Sequence, residues 1–80
     1  MKAYATFGVC AKEILLDVDT NGIIQNIEFV GGCDGNTHGI ENLVKGLPKD
    51  IVIQKLKGIT CRTKPTSCPD QLARILEENF

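Results

Sequence analysis

The chain reads as an α+β fold, with a three-stranded antiparallel sheet followed by three helices packed on one face. The first thirty positions read as strands, two of their three runs alternating apolar and polar residues at strand period. Asn21-Gly22 sits between two such runs and marks a hairpin. From Ile40 onward the apolar residues recur at helical spacing, punctuated by Gly and Pro.

The elements follow in order. Ala3, Ala5 and Phe7 alternate with Tyr4 and Thr6, predicting a short first strand. Glu13 to Val18, rich in Ile and Leu, is the second. Asp19-Thr20-Asn21-Gly22 then turns the chain, Asn-Gly suiting a type I′ turn that needs positive φ at both central residues. Ile23 to Val30 is the third strand, with Ile23, Ile27 and Phe29 set among Gln25, Asn26 and Glu28. Gly31-Gly32-Cys33-Asp34-Gly35-Asn36 makes a tight loop. Asn36 or Thr37 can cap a helix whose stripe is Ile40, Leu43, Val44 and Leu47, and Gly46 ends it. Pro48 suits the first turn of a second helix, with Asp50 at its positive end. That helix carries Ile51, Val52 and Leu56 and stops at Gly58. After an irregular stretch, Cys68-Pro69-Asp70 opens a third helix with Leu72, Ile75, Leu76 and Phe80 as its buried face.

Bulk properties narrow the function. Eighty residues make one small domain, 1–80, which buries only roughly 60% of its unfolded surface and gains from a staple. A net charge of −1 supplies no basic field for nucleic acid. Lys55, Lys57, Arg62 and Lys64 form a mild cluster that reads as solvated surface. No apolar run approaches the ~20 residues that span a bilayer. The start, Met1-Lys2-Ala3-Tyr4, lacks a signal-peptide stretch. The expectation is a cytoplasmic protein with no membrane or nucleic-acid partner.

In a reducing compartment, four cysteines point to metal ligation or redox chemistry rather than disulfides. Cys10, Cys33, Cys61 and Cys68 all fall at expected loops or element ends. In an antiparallel meander the first and third strands end at the same edge, so Cys10 and Cys33 share it. Cys68 opens the last helix and Cys61 lies seven residues before it. All four sulfurs can therefore meet at one end of the sheet, as a tetrahedral metal site requires. A helix N-terminus favours anionic sulfur, and Arg62 and Lys64 add positive charge beside Cys61. Zinc is the natural occupant of four thiolates, with an iron–sulfur cluster as the alternative. No Cys-x-x-Cys knuckle is present, and plain free thiols or redox thiols stay open as readings. His38 reads as an exposed helix residue before it reads as a further ligand, and Asp34 as an Asx turn within the Gly-rich loop. No phosphate-binding loop, calcium loop, Ser-His-Asp set or carboxylate pair stands out.

Gly31-Gly32-Cys33-Asp34-Gly35-Asn36, Leu43-Val44-Lys45-Gly46, Gly58-Ile59-Thr60-Cys61 and Thr66-Ser67-Cys68-Pro69-Asp70-Gln71-Leu72-Ala73 together resemble the TSCPD family in its short four-cysteine form. The resemblance covers nearly the whole chain. It implies metal binding by Cys10, Cys33, Cys61 and Cys68, and a link to adenosylcobalamin-dependent ribonucleotide reductases, whose C-termini carry related segments. Arg62 stands where a small residue such as Gly is expected, making the rim more basic. The order from Ile27 onward is also similar to IscU-type iron–sulfur scaffolds, although Cys10 has no counterpart there. Those resemblances set the alternatives to a zinc-binding accessory module partnered with a reductase or another protein. One is an iron–sulfur assembly scaffold; the other is a thiol carrier using Cys61 and Cys68.

Overall fold

The computed structural model describes residues 1–9, 11–31, 34–60 and 64–80, with the backbone alone at Asp34. Strands β1 (Lys2–Ala5), β2 (Ala11–Val18) and β3 (Ile24–Gly31) precede helices α1 (Asp34–Val44), α2 (Lys49–Leu56) and α3 (Cys68–Asn79). The sheet is antiparallel in the order β1-β2-β3. The α+β class and the three-strand, three-helix order expected from the sequence are therefore observed.

One face of the sheet carries the core. Ile14 pairs with Phe29 and Leu16 with Ile27, and all four are buried against Val44, Val52, Leu72, Ile75 and Leu76 of the helices. Strict alternation would leave Ala11 and Ile24 on the opposite face. Two register shifts, at Ala11/Glu13 and Asp17/Val18, each insert one residue and reverse the parity. Ala11 and Ile24 consequently join the core as well. On β1 the inward residue is Tyr4, half-buried, while Phe7 lies past the strand and is exposed. Tyr4 also stacks edge-on against Phe80, with ring centroids 5.9 Å apart.

The β2–β3 hairpin forms, but not through a two-residue turn. Its loop spans residues 19–23 and is organised by one side chain. Asp19 Oδ1 accepts from the N–H groups of Asn21 and Ile23, each at 2.9 Å, and Oδ2 accepts from Gln25 Nε2 at 2.8 Å. An Asx turn thus outcompetes the tighter turn. Gly22 supplies the positive φ, at 80°.

β3 is an edge strand whose outer side is covered. Ile24 N–H donates to the Leu47 carbonyl, Gly46 N–H to Ile24 and Lys49 N–H to Gly22, so the α1–α2 connection continues the ladder. Farther along, Phe29 N–H donates to Glu41 Oε2 of α1 at 2.7 Å. Glu41 is buried, and its Oε1 lies 3.3 Å from His38 Nδ1. The helix starts at Asp34, earlier than the expected cap at Asn36 or Thr37.

Glu41 sets the rotation of α1. Thr37, Glu41 and Val44 face inward, while Leu43, expected in the buried stripe, is 74% exposed. Leu43 follows Glu41 by two residues, or about 200° around a helix, so inward Glu41 sends Leu43 to solvent. Ile51 of α2 and Phe80 are likewise only partly covered.

Replacing Glu41 by Ala strands the Phe29 amide, a cost of about 1–3 kcal/mol that lowers the melting temperature by about 5–15 °C. Glu41→Gln, which keeps an acceptor oxygen, should lose less than half as much. Thermal melts and hydrogen exchange at Phe29 test this; an E41A protein with unchanged melting and unchanged Phe29 protection contradicts it.

Candidate metal centre

The first turn of α3 organises the end of the molecule to which the cysteine pattern points. Ser67 is its N-cap: its backbone is extended and its Oγ accepts from Asp70 N–H at 3.2 Å. The same hydroxyl donates to the Ile59 carbonyl at 2.7 Å. Cys68 follows as the first helical residue, half-buried and free, and Pro69 occupies a position whose N–H needs no intrahelical partner.

Asp70 is fully buried. Its Oδ1 accepts from Gly58 N–H at 2.6 Å, and Oδ2 accepts from Thr66 Oγ1 at 2.5 Å and Arg74 Nε at 2.9 Å. Burial pushes the Asp70 carboxyl up, but hydrogen bonds from Thr66, Gly58 and Arg74, with the Arg74 charge, outweigh it. The carboxyl is held below its ordinary range. Arg74 is half-exposed, so solvent screens its share, and the hydrogen bonds from Thr66 and Gly58 carry most of the effect.

The network continues to the sheet. Thr66 Oγ1 accepts from Gln71 Nε2 at 2.9 Å, and Gln71 Oε1 accepts from Phe7 N–H at 3.2 Å. Phe7 and Gln71 are 64 residues apart. The hydroxyl of Thr6 donates to the Ala11 carbonyl at 2.6 Å, closing the other side of the β1–β2 loop. Ala11 in turn pairs with Gly31 at the end of β3.

Of the expected ligands, only Cys68 is among the described residues; Cys10, Cys33 and Cys61 lie outside them, as does Arg62. What can be located is the chain around each. Phe7 and Ala11 flank Cys10, Gly31 precedes Cys33, and Ile59 and Thr66 bracket Cys61. All are tied to one another or to the first turn of α3 by the bonds above. Among the described residues, no group of three or more His, Cys, Asp or Glu side chains is placed to hold a metal. His38 is an exposed helix residue, as expected of it ahead of ligation, and its Nδ1 lies 3.3 Å from Glu41 Oε1.

A family model of the TSCPD domain matches residues 2–80. The chain belongs to the TSCPD domain family. No curated protein and no solved structure matches it. The string Thr66-Ser67-Cys68-Pro69-Asp70 that the TSCPD name spells has a distinct task at four of its positions. Thr66 donates to Asp70, Ser67 caps the helix, Pro69 starts it, and Asp70 receives the preceding loop. Sequence reasoning missed the buried acid Glu41 and the Thr66–Asp70–Gln71 network. The spacing Ser67-x-x-Asp70 was an available capping signal for part of it. Among the described residues no helix is long and apolar enough to cross a membrane.

Because the folded carboxyl of Asp70 titrates below its unfolded value of about 3.9, its contribution is complete above that pH. It is lost as pH falls through the folded value. Asp70→Asn should cost on the order of 2 kcal/mol at neutral pH and flatten the decline in stability as pH falls below about 4. Urea titrations across that range provide the check. Parallel wild-type and D70N acid profiles would show that Asp70 titrates alike in both states.

Proposed function

We propose that this TSCPD domain binds one zinc ion through Cys10, Cys33, Cys61 and Cys68 and acts as a small accessory module in the cytoplasm. The supporting observation is the hydrogen-bonded network through Asp70, Thr66 and Gln71. It ties segments flanking Cys10 and Cys61 to the helical turn that bears Cys68. The Ala11–Gly31 pair adds the segment leading to Cys33. Four thiolates suit zinc and complete its coordination, leaving no position for a reactive water; the site is structural rather than hydrolytic. A bound ion would supply the cross-link that a thin 80-residue core lacks. The link to ribonucleotide reductase rests on the resemblance of these segments to the C-termini of the adenosylcobalamin-dependent enzymes. In that reading the module's partner is such a reductase.

Native mass spectrometry with elemental analysis tests the reading. About one zinc per chain is expected, with chelation lowering the melting temperature by about 10 °C or more. Cys68→Ser and Cys10→Ser should each lose the ion. Iron with equimolar sulfide would identify an assembly scaffold instead. A metal-free protein alkylated fast only at Cys61 and Cys68 would identify a thiol carrier.

A further inference from the structure

On the side of the molecule formed by α1 and α2, Ile40, Leu43, Leu47, Ile51, Lys55 and Leu56 line an apolar groove of about 190 Å³. That exceeds the ~150 Å³ cavity known to accept a benzene ring, so a large aliphatic or aromatic side chain fits. The groove follows from the fold. Glu41 must face β3 to receive the Phe29 amide, which turns Leu43 outward, 74% exposed, beside Ile51 at 38%.

The charged residue in the groove lining is basic. Lys45 follows the last residue of α1, and Lys55 lines the groove from the last turn of α2. Among the described residues neither makes an ion pair, whereas Lys49 and Lys57 pair with Asp50 and Glu77. A lysine in such a lining can offer its apolar stem to the groove and its ammonium group to solvent. Symmetric pairing of this face with a second copy would bring two unpaired Lys55 side chains into one interface, which like-charge repulsion opposes. Added-strand recognition is also closed off here, because the nearby β3 edge is already bonded to residues 46–49 and to Glu41. A partner must therefore engage through side chains.

We infer that the α1–α2 groove docks an amphipathic helix of another protein, with apolar anchors at helical spacing and Asp or Glu on its flanks. The anchors fill the space between Leu43 and Ile51, and the acidic flank meets Lys45 and Lys55. This surface is independent of the metal reading.

A displayed library of helical peptides, randomised at apolar and flanking positions and selected on the purified full chain, tests the inference. Enriched clones should pair apolar i, i+3 or i+4 anchors with acidic flanks. Their binding should weaken about tenfold or more with Leu43→Asp and with Lys55→Glu, and should fall with added salt. Leu43 and Lys55 are exposed, and circular dichroism should confirm that both variants stay folded. Three outcomes overturn the inference: no enrichment, clones with neutral or basic flanks, or clones indifferent to L43D. Concentration-dependent self-association abolished by L43D would also overturn it, assigning the groove to a second copy.

Discussion

The buried carboxylate of Asp70 receives a backbone N–H, a threonine hydroxyl and a guanidinium from three separate points along the chain. The described residues between α2 and α3 belong to no helix or named strand, so their polar backbone must find partners outside a ladder. Asp70 and the N-cap Ser67 take Gly58 and Ile59 at the near end of that stretch, and Asp70 takes Thr66 at the far end. Thr66 then passes the constraint through Gln71 to Phe7. Removing the acid would strand the Gly58 amide, the Thr66 hydroxyl and the Arg74 guanidinium together. The cost of burying a charge is offset here because every bond around it is made, and the described residues hold no buried unpartnered side-chain polar atom.

Glu41 solves a related problem at the sheet edge. Both acids are buried and both accept a backbone N–H, Glu41 from a strand and Asp70 from a loop. Each binds an element to the segment just beyond one of the cysteine positions: Glu41 holds α1 against β3 on either side of Cys33, and Asp70 holds α3 against the chain around Cys61. The two carboxylates thus organise the chain leading into the proposed thiolate centre. Glu41 also has a cost on the outer surface, since aiming it inward leaves Leu43 uncovered. Edge protection and an exposed apolar groove are two consequences of one helix rotation.

Local pattern carried much of the architecture. Strand alternation, the glycine at Gly46 and the Pro69-Asp70 start of α3 correspond to the observed elements, because those signals act within a few residues. Where the reading diverged, a longer-range bond intervened. The α1 stripe of Ile40, Leu43, Val44 and Leu47 ignored a polar residue whose partner lies twelve positions away on β3. The turn at Asn21-Gly22 lost to an aspartate two residues earlier. The bulges that bring Ala11 and Ile24 into the core depend on cross-strand register, which no single strand encodes.

For the site, the four thiols, their loop settings and the capping spacing Ser67-x-x-Asp70 are written in the primary structure. So are the α+β class and the order of its elements, since period and turn chemistry are local properties. Only the tertiary structure decided that Asp70 would be buried and ionised, that Gln71 would reach a residue 64 positions away, and that Glu41 would turn inward. The reason is physical: whether a polar side chain is worth burying depends on which unpaired backbone groups the fold brings to it, and those groups come from elsewhere in the chain.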